Sequence, residues 1–356
     1  MPNLDNPKQF AKNDPKDVLG SIAATPEQIK DAWEQVQSVK LPDNYKNIKR
    51  IVINGMGGSG LGTHVLQSVF FSDLKVPLGN IHSYDIPGMV DKETLYIVSS
   101  YSGTTEEILE SYKQAKKAGA KIIGLAGGGY LAKQIQSGTL PGFLFESNFN
   151  KCGEPRIGLP YSIIGMLGIF QKLNLIKVND ADIKKIILNL KKLNKNLSAD
   201  IKIKNNKAKQ FAKGLSGKIP VIITADFFAG NAHIIANQLN ESSKNFSAYH
   251  IISELNHHLL EGLSFPKNNS RNLKFVFFNS SLNSPRLAKR VKITQDILSQ
   301  QKIEFLNYNL PGNTKLEQSF SMLLFGSYLS YYLGVLNDVN PAAIPYVDYF
   351  KERLKR

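Results

Sequence analysis

The stretch 54-NGMGGSGLG-62 holds five glycines in nine residues. It follows the apolar run 50-RIVI-53 and precedes 63-THVLQSVFF-71, which has the composition of a helix. A strand, a glycine-rich turn and a helix make a place for an anion. The turn brings backbone amides close to the ligand, and the helix N-terminus presents unpaired N–H groups. The spacing of Gly55, Gly57 and Gly60 also satisfies G-x-G-x-x-G, so the loop suits a pyrophosphate, a single phosphate or a ligand-free tight turn. A dinucleotide site also wants an acidic residue at the end of the next strand, about 20 residues on. Asp73 has the spacing but not the place. Asp85 ends the expected strand 80–85 but lies further along.

A second loop favours a monophosphate. In 99-SSYSGTTEE-107, Ser99, Ser100, Ser102 and Thr105 crowd a glycine after another apolar strand. Hydroxyls donate to phosphate oxygens without adding charge. Thr104 and Thr105 ahead of Glu106 and Glu107 also resemble an ordinary helix cap. A cap needs one hydroxyl, and this loop has four. Two short loops at one sheet edge suit a single phosphate better than a long dinucleotide.

Around these loops the pattern alternates strand and helix. Strands are expected at 50–54, 80–85, 94–100, 121–126 and 142–147, and again at 219–225, 274–279 and 303–309. Helices are expected at 26–40, 60–71, 101–119, 231–244, 280–301 and 315–336. Such alternation predicts an α/β protein of two subdomains, each a parallel sheet between helices. The expected division is 1–155, with the phosphate loops, and 156–356, with connecting helices and the second sheet.

The chain of 356 residues is long enough for two domains. One cysteine, Cys152, excludes an intrachain disulfide, no Cys/His pattern has zinc spacing, and a reducing cytoplasm fits. The segment 1–17 is polar, unlike a signal peptide. The apolar window 157–170 is too short and too broken to span a bilayer. The net charge of +15 invites a nucleic-acid reading. Much of the excess lies in 184–213, where Ile186, Ile187, Leu190 and Leu193 recur at helical spacing between lysines. That is a solvated amphipathic helix without aromatics for stacking bases, so no nucleic-acid partner is expected.

The motifs 55-GMGGSG-60 and 99-SSYSGTTEE-107 resemble the sugar isomerase (SIS) domain, which binds phosphosugars. The segments 154-EPRIGLP-160, 239-LNESSK-244, 254-ELNHHLLEG-262 and 345-PYVDYFKERL-354 resemble the bifunctional phosphoglucose/phosphomannose isomerases. The resemblance runs from about residue 20 to the end. It implies a cytoplasmic aldose–ketose isomerase that interconverts glucose 6-phosphate and mannose 6-phosphate with fructose 6-phosphate through a cis-enediolate. That chemistry needs a phosphate anchor, a base to move a proton between C1 and C2, a positive charge for the enediolate and a group to open the ring. It requires no metal or organic cofactor.

The resemblance assigns the base to Glu241, otherwise an exposed helix-end glutamate, and ring opening to His257, an imidazole that exchanges protons near neutrality. Adjacent His258 is a neighbour, and no third ligand suggests a metal. The resemblance also marks Arg156, a fixed guanidinium for the enediolate, and Lys351, favoured over Lys355 because it follows Tyr346, Val347 and Phe350. Gly57, Gly58, Ser59, Ser100, Ser102 and Thr105 would hold the substrate. The segment 338-DVNPAAIPYV-347 departs from the family's tighter Asp-Pro form. A homodimer with a shared site is implied, its histidine supplied by the neighbouring subunit, with the apolar helices near 157–173 and 315–336 as candidate interface and no membrane partner. The alternatives are a non-catalytic phosphosugar-binding SIS regulator, against which no helix-turn-helix pattern precedes residue 45, and a dinucleotide-dependent oxidoreductase.

Overall fold

Two parallel sheets, of five and four strands with the same order over their first four, organise the computed structural model, which describes residues 2–354. Lys355 lies outside the described residues. The first sheet contains β1 (Arg50–Gly55), β2 (Leu78–Ile81), β3 (Thr94–Ser100), β4 (Lys121–Ala126) and β5 (Gly142–Leu144) in the order β2-β1-β3-β4-β5. The second contains β6 (Ile219–Ala225), β7 (Ala248–Ile252), β8 (Leu273–Asn279) and β9 (Glu304–Asn309) in the order β7-β6-β8-β9. The expected α/β class with two sheets flanked by helices is what forms.

The strands with unbroken apolar runs are the buried ones. Every residue of β3 is buried, so its sequence has no reason to alternate. Strand β7 was not expected from the sequence. It is an edge strand, mostly half-buried, and its AYHII mixes polar and apolar residues without a strong signal. Strand β2 ends at Ile81, so Asp85 lies in the following loop rather than at the strand's end.

Alternation in the other strands divides the core. Ile51, Ile53, Leu95, Ile97, Ile222, Val276 and Phe278 join one apolar cluster that both sheets share. Val52, Tyr96 and Val98 face a second cluster, and Val221, Ile223 and Phe275 a third. The shared layer is built from helices Gly58–Val69, Leu159–Lys172, Ala229–Ser242 and Lys315–Leu336. The apolar helices considered above as interface are therefore this chain's own core. Lys315–Leu336 is long and apolar enough to cross a membrane by length and composition, and 94% of that window is buried inside the fold.

The lysine-rich segment forms helices Asp180–Leu197 and Lys207–Leu215. Lys184, Lys185, Lys191 and Lys192 are exposed while Ile183, Ile186 and Leu190 are buried, as amphipathic spacing requires. Lys209 is the exception. Its buried Nζ donates to the carbonyls of Leu4, Ala199 and Ile201 at 2.6–2.8 Å. It stitches the N-terminal segment to the turn between the two helices.

Helices Gly58–Val69 and Ala229–Ser242 cross with backbones in close approach, because a side chain at Gly230 would collide with the backbone of His64 and Val65. On this crossing His64 Nδ1 lies 3.2 Å from His233 Nδ1, a geometry in which one ring donates and the other accepts. Burial, with the nearby rings of His233 and His82, pushes the His64 pKa down to about 4. The His64 contribution to stability is thus complete above the unfolded histidine range near 6.5 and is lost as pH falls toward 4. His64→Gln is expected to flatten the dependence of Tm on pH between 7 and 4.5. An unchanged slope would show that the pair does not bear on stability.

Candidate active site

Strand β1 turns into its helix through Gly57, which has φ +49° and no neighbour within 4 Å of where a side chain would begin. Glycine meets that conformation without strain and leaves the backbone open. The helix Gly58–Val69 has no side-chain cap; the amides of Ser59 and Gly60 donate to the carbonyls of Met56 and Gly57, and among the described residues those of Gly57 and Gly58 have no acceptor. Helix Glu106–Lys117, entered from the second loop, likewise has none. Thr105 occupies the cap position, but its Oγ1 lies 2.8 Å from Ser100 Oγ. The capping explanation for these hydroxyls therefore fails.

The two loops are joined directly. Ser99 Oγ donates to Ser59 O at 3.0 Å, and the Tyr101 amide donates to Ser59 Oγ at 2.8 Å. Strands β1 and β3 are neighbours with Gly55 opposite Ser99, so both loops leave the same carboxyl edge. Ser59 and Ser100 are buried, Thr105 is half-buried, and Ser102 is exposed and hydrogen-bonded to Thr104. Gly103 packs against Gly128 and Gly129 after β4 so tightly that no side chain fits there. The triple glycine thus seats the second loop. At the rim of the first loop, His82 Nδ1 lies 2.5 Å from Gly55 O.

Gly58 is the link to the rest of the site. A side chain there would begin 3.3 Å from Pro155, so the segment carrying Arg156 runs against the first turn of the loop's helix. Arg156 is 2% exposed and makes five hydrogen bonds. Nε donates to Ser242 Oγ at 3.1 Å. Nη1 donates to Glu154 Oε2 at 2.9 Å and to Glu241 Oε2 at 3.4 Å. Nη2 donates to the carbonyls of Pro341 and Ala342 at 2.7 and 2.8 Å. Every guanidinium N–H is engaged within the protein.

Glu241 lies near the end of helix Ala229–Ser242, with its side chain one-third exposed. One carboxylate oxygen takes the longest of the Arg156 bonds, and Oε1 has no hydrogen bond among the described residues. Burial raises its pKa, with Glu154 acting in the same direction. Arg156 chiefly, then Lys244 and Lys351, pull it back. A carboxylate held above its ordinary range is better matched to taking and returning a proton near neutrality.

Several members of the site were missed in the sequence. Buried Glu154 bridges Arg156 and Lys16, whose Nζ is 3.0 Å away. Lys244 donates to the carbonyls of Glu241 and Asn340, and burial together with the Arg156 charge pushes its pKa down to about 8. Gln238 donates to Arg156 O and Ser327 Oγ. Glu154 and Lys244 stand inside motifs quoted above, where spacing from Arg156 and Glu241 was the available signal. Lys16 had none. The irregular 338–347 segment supplies the carbonyls that receive Arg156 and Lys244.

Lys351 is exposed on helix Pro345–Leu354, close enough for its charge to favour ionised Glu241. The aromatic stripe ahead of it, Tyr346 and Phe350, is also exposed. His257 is not brought to Glu241. It lies exposed just beyond β7, and its side chain makes no hydrogen bond or ion pair among the described residues. The neighbouring His258 instead pairs with Glu254 at 2.7 Å. Among the described residues no group of three or more His, Cys, Asp or Glu side chains is placed to hold a metal.

Residues 204–354 match the family model for the bacterial phospho-glucose isomerase C-terminal SIS domain. The chain is 31% identical over 341 residues to a bifunctional phosphoglucose/phosphomannose isomerase of Caldicellulosiruptor bescii, covering 95% of this chain and 98% of that one. It is 28% identical over 305 residues to a protein of the same description from Thermoplasma acidophilum, covering 85% and 89%. Among solved structures, a glucose-6-phosphate isomerase like protein from Thermus thermophilus shares the fold, with a TM-score of 0.62, 14% identity and 99% of each chain covered.

Arg156→Gln removes a charge that holds the Glu241 pKa down, leaves buried Glu154 with Lys16 alone and takes the donor from two carbonyls. It is expected to lower stability by about 3–5 kcal/mol, as measured by urea unfolding. In whatever folds, the acid limb of the activity profile is expected to move to higher pH. A limb that stays in place would mean Glu241 does not feel this charge.

Proposed function

The chain belongs to the bifunctional phosphoglucose/phosphomannose isomerases, and from that premise we propose that it interconverts glucose 6-phosphate and mannose 6-phosphate with fructose 6-phosphate. The observation that carries the reading is the single connected site. Its parts are an uncapped, hydroxyl-lined double loop, an arginine packed against it and a partly buried glutamate on that arginine.

The phosphate is held by backbone amides at Gly57 and Gly58 with hydroxyls of Ser59, Ser100, Ser102 and Thr105, at the N-termini of two helices. Anchoring it places C1 and C2 toward Glu241, whose unbonded Oε1 takes the proton from one carbon and returns it to the other. Negative charge then develops on the enediolate oxygens. The Arg156 charge stands beside that position, and its 3.4 Å bond to Glu241 is the weakest of its five and the one exchangeable for a substrate oxygen. Lys351 adds positive charge from the C-terminal helix. The steps as proposed draw on side chains and backbone alone.

His257 opens the ring, and we place it in the site of a neighbouring subunit. Helix Ala229–Ser242 returns from the carboxyl edge of the second sheet to its amino edge, where Glu241 sits. Strand β7 then carries the chain back toward His257. Its five residues span about 16 Å, so the two groups lie at opposite edges within one chain. A homodimer with shared sites brings such groups together. The division at 155/156 belongs to the same proposal, with Arg156 at the junction.

Glu241→Gln is expected to reduce turnover of both sugars by roughly 10²–10⁴-fold while phosphosugar binding persists. A coupled assay on each sugar with EDTA present measures the first, and calorimetry the second. Wild-type turnover in the variant would remove Glu241 from the mechanism. Sharing is tested separately by mixing inactive Glu241→Gln and His257→Gln chains after reversible dissociation. Half of the re-formed dimers are mixed and each has one complete site, so about a quarter of wild-type activity is expected. No recovery would argue that the two residues serve within one chain.

A further inference from the structure

We propose that the second subdomain carries an anion site of its own, for a small phosphate monoester. It is the cleft between the segment 254–263 and helix Pro285–Gln300. The cleft is open to solvent, has a volume of about 410 Å³ and is lined by Asn256, Leu260, Arg286, Lys289, Arg290 and Ile293, of which Arg286, Lys289 and Ile293 are exposed. That volume lies within the range of small-ligand sites. Half of the lining residues are cations and none is acidic.

The cations lack acidic partners. Among the described residues the side chains of Arg286 and Lys289 make no hydrogen bond or ion pair, and Arg290 donates to the neutral Asn256 Oδ1 at 3.3 Å. Elsewhere on the same helix Lys292 pairs with Asp296 at 3.2 Å. Arg286, Lys289 and Arg290 are spaced three and four residues apart, so they share one face and repel, which destabilises the helix. A bound dianion removes that repulsion. The cleft is also prepared for it. Asn256 Nδ2 donates to Thr294 Oγ1 at 2.8 Å, which turns its carbonyl oxygen toward Arg290 and fixes the guanidinium.

Leu260 and Ile293 give the cleft an apolar wall, which suits a ligand with a carbon skeleton rather than a bare ion. The double loop of the first sheet is a separate place. Asn256 adjoins His257, so an occupant here borders the residue assigned to ring opening. Binding itself does not depend on that assignment.

The test is equilibrium dialysis with radiolabelled inorganic phosphate at low ionic strength. Wild-type chain is expected to hold two phosphates, one at the double loop and one in the cleft. Arg286→Gln with Arg290→Gln is expected to weaken the cleft site by roughly tenfold or more, leaving one. Ser102→Ala with Thr105→Val is expected to weaken the other site instead. If the reading of the double loop were wrong, wild type would hold one phosphate and the arginine variant none. Lys184→Gln with Lys185→Gln removes equal charge from a distant helix. Phosphate binding that survives the arginine changes, or that falls equally with the lysine changes, overturns the proposal.

Discussion

Arg156 is the point on which the rest of the site depends. A guanidinium buried to 2% would be prohibitively costly without partners, because desolvation of a charge is not recovered by packing. Its five bonds resolve that cost and impose geometry as they do so. They fix Glu154 in the same segment, Glu241 and Ser242 at one helix end, and the carbonyls of Pro341 and Ala342 before the C-terminal helix. Three stretches distant in sequence are thereby fixed around one planar cation. The backbone of the same segment packs on Gly58, so the group that holds Glu241 is also set against the glycine loop proposed to take the phosphate.

Close backbone approach is what makes this junction possible. Helix Ala229–Ser242 is held on one side by helix Gly58–Val69, through Gly230, and on the other by helix Lys315–Leu336, through Gly326 and Gly334. A side chain at Gly326 would strike Ile235, and one at Gly334 would meet Ser242 O at 2.9 Å. The helix that carries Glu241 is therefore seated in the shared core along its length. A base positioned by a rigid helix keeps its relation to an anchored substrate better than one on a loop.

Much of this was legible in the sequence. Unbroken apolar runs marked β1, β3, β4, β6 and β8, because strands buried on both faces need no alternation. The two glycine- and hydroxyl-rich loops marked the anion cradle for the same local reason. Strand β7 escaped because a half-buried edge strand carries a weak pattern. Helices 159–172 and 315–336 were legible as apolar but not as core, since composition does not reveal what covers a surface. Lys209 reads as one more lysine of an amphipathic run, and only the three carbonyls around it show otherwise. Glu154, Lys16 and Lys244 belong to the Arg156 network, and long-range ion pairs leave no periodicity to find.

The repeated plan bears on where the proposed chemistry falls. In each sheet the first strand lies inside the sheet, second in the order, and a helix returns antiparallel to it, so every such helix begins at the carboxyl edge and ends at the amino edge. The proposed site takes the beginning of the first sheet's helix, at Gly58, where the dipole favours an anion, and the end of the second sheet's equivalent helix, at Glu241. Gly230 approaches His64 and Val65, while Gly58 lies by Arg156, which binds Glu241, so the two helices run antiparallel. An antiparallel pair brings the N-terminus of one to the C-terminus of the other, which sets the proposed phosphate cradle beside the proposed base without any loop spanning the gap. The same geometry sends the carboxyl edge of the second sheet, with His257, away from that junction. Parallel sheets packed in this way place the proposed anchor and the proposed base in one chain and leave the second carboxyl edge, with exposed His257, apart from them.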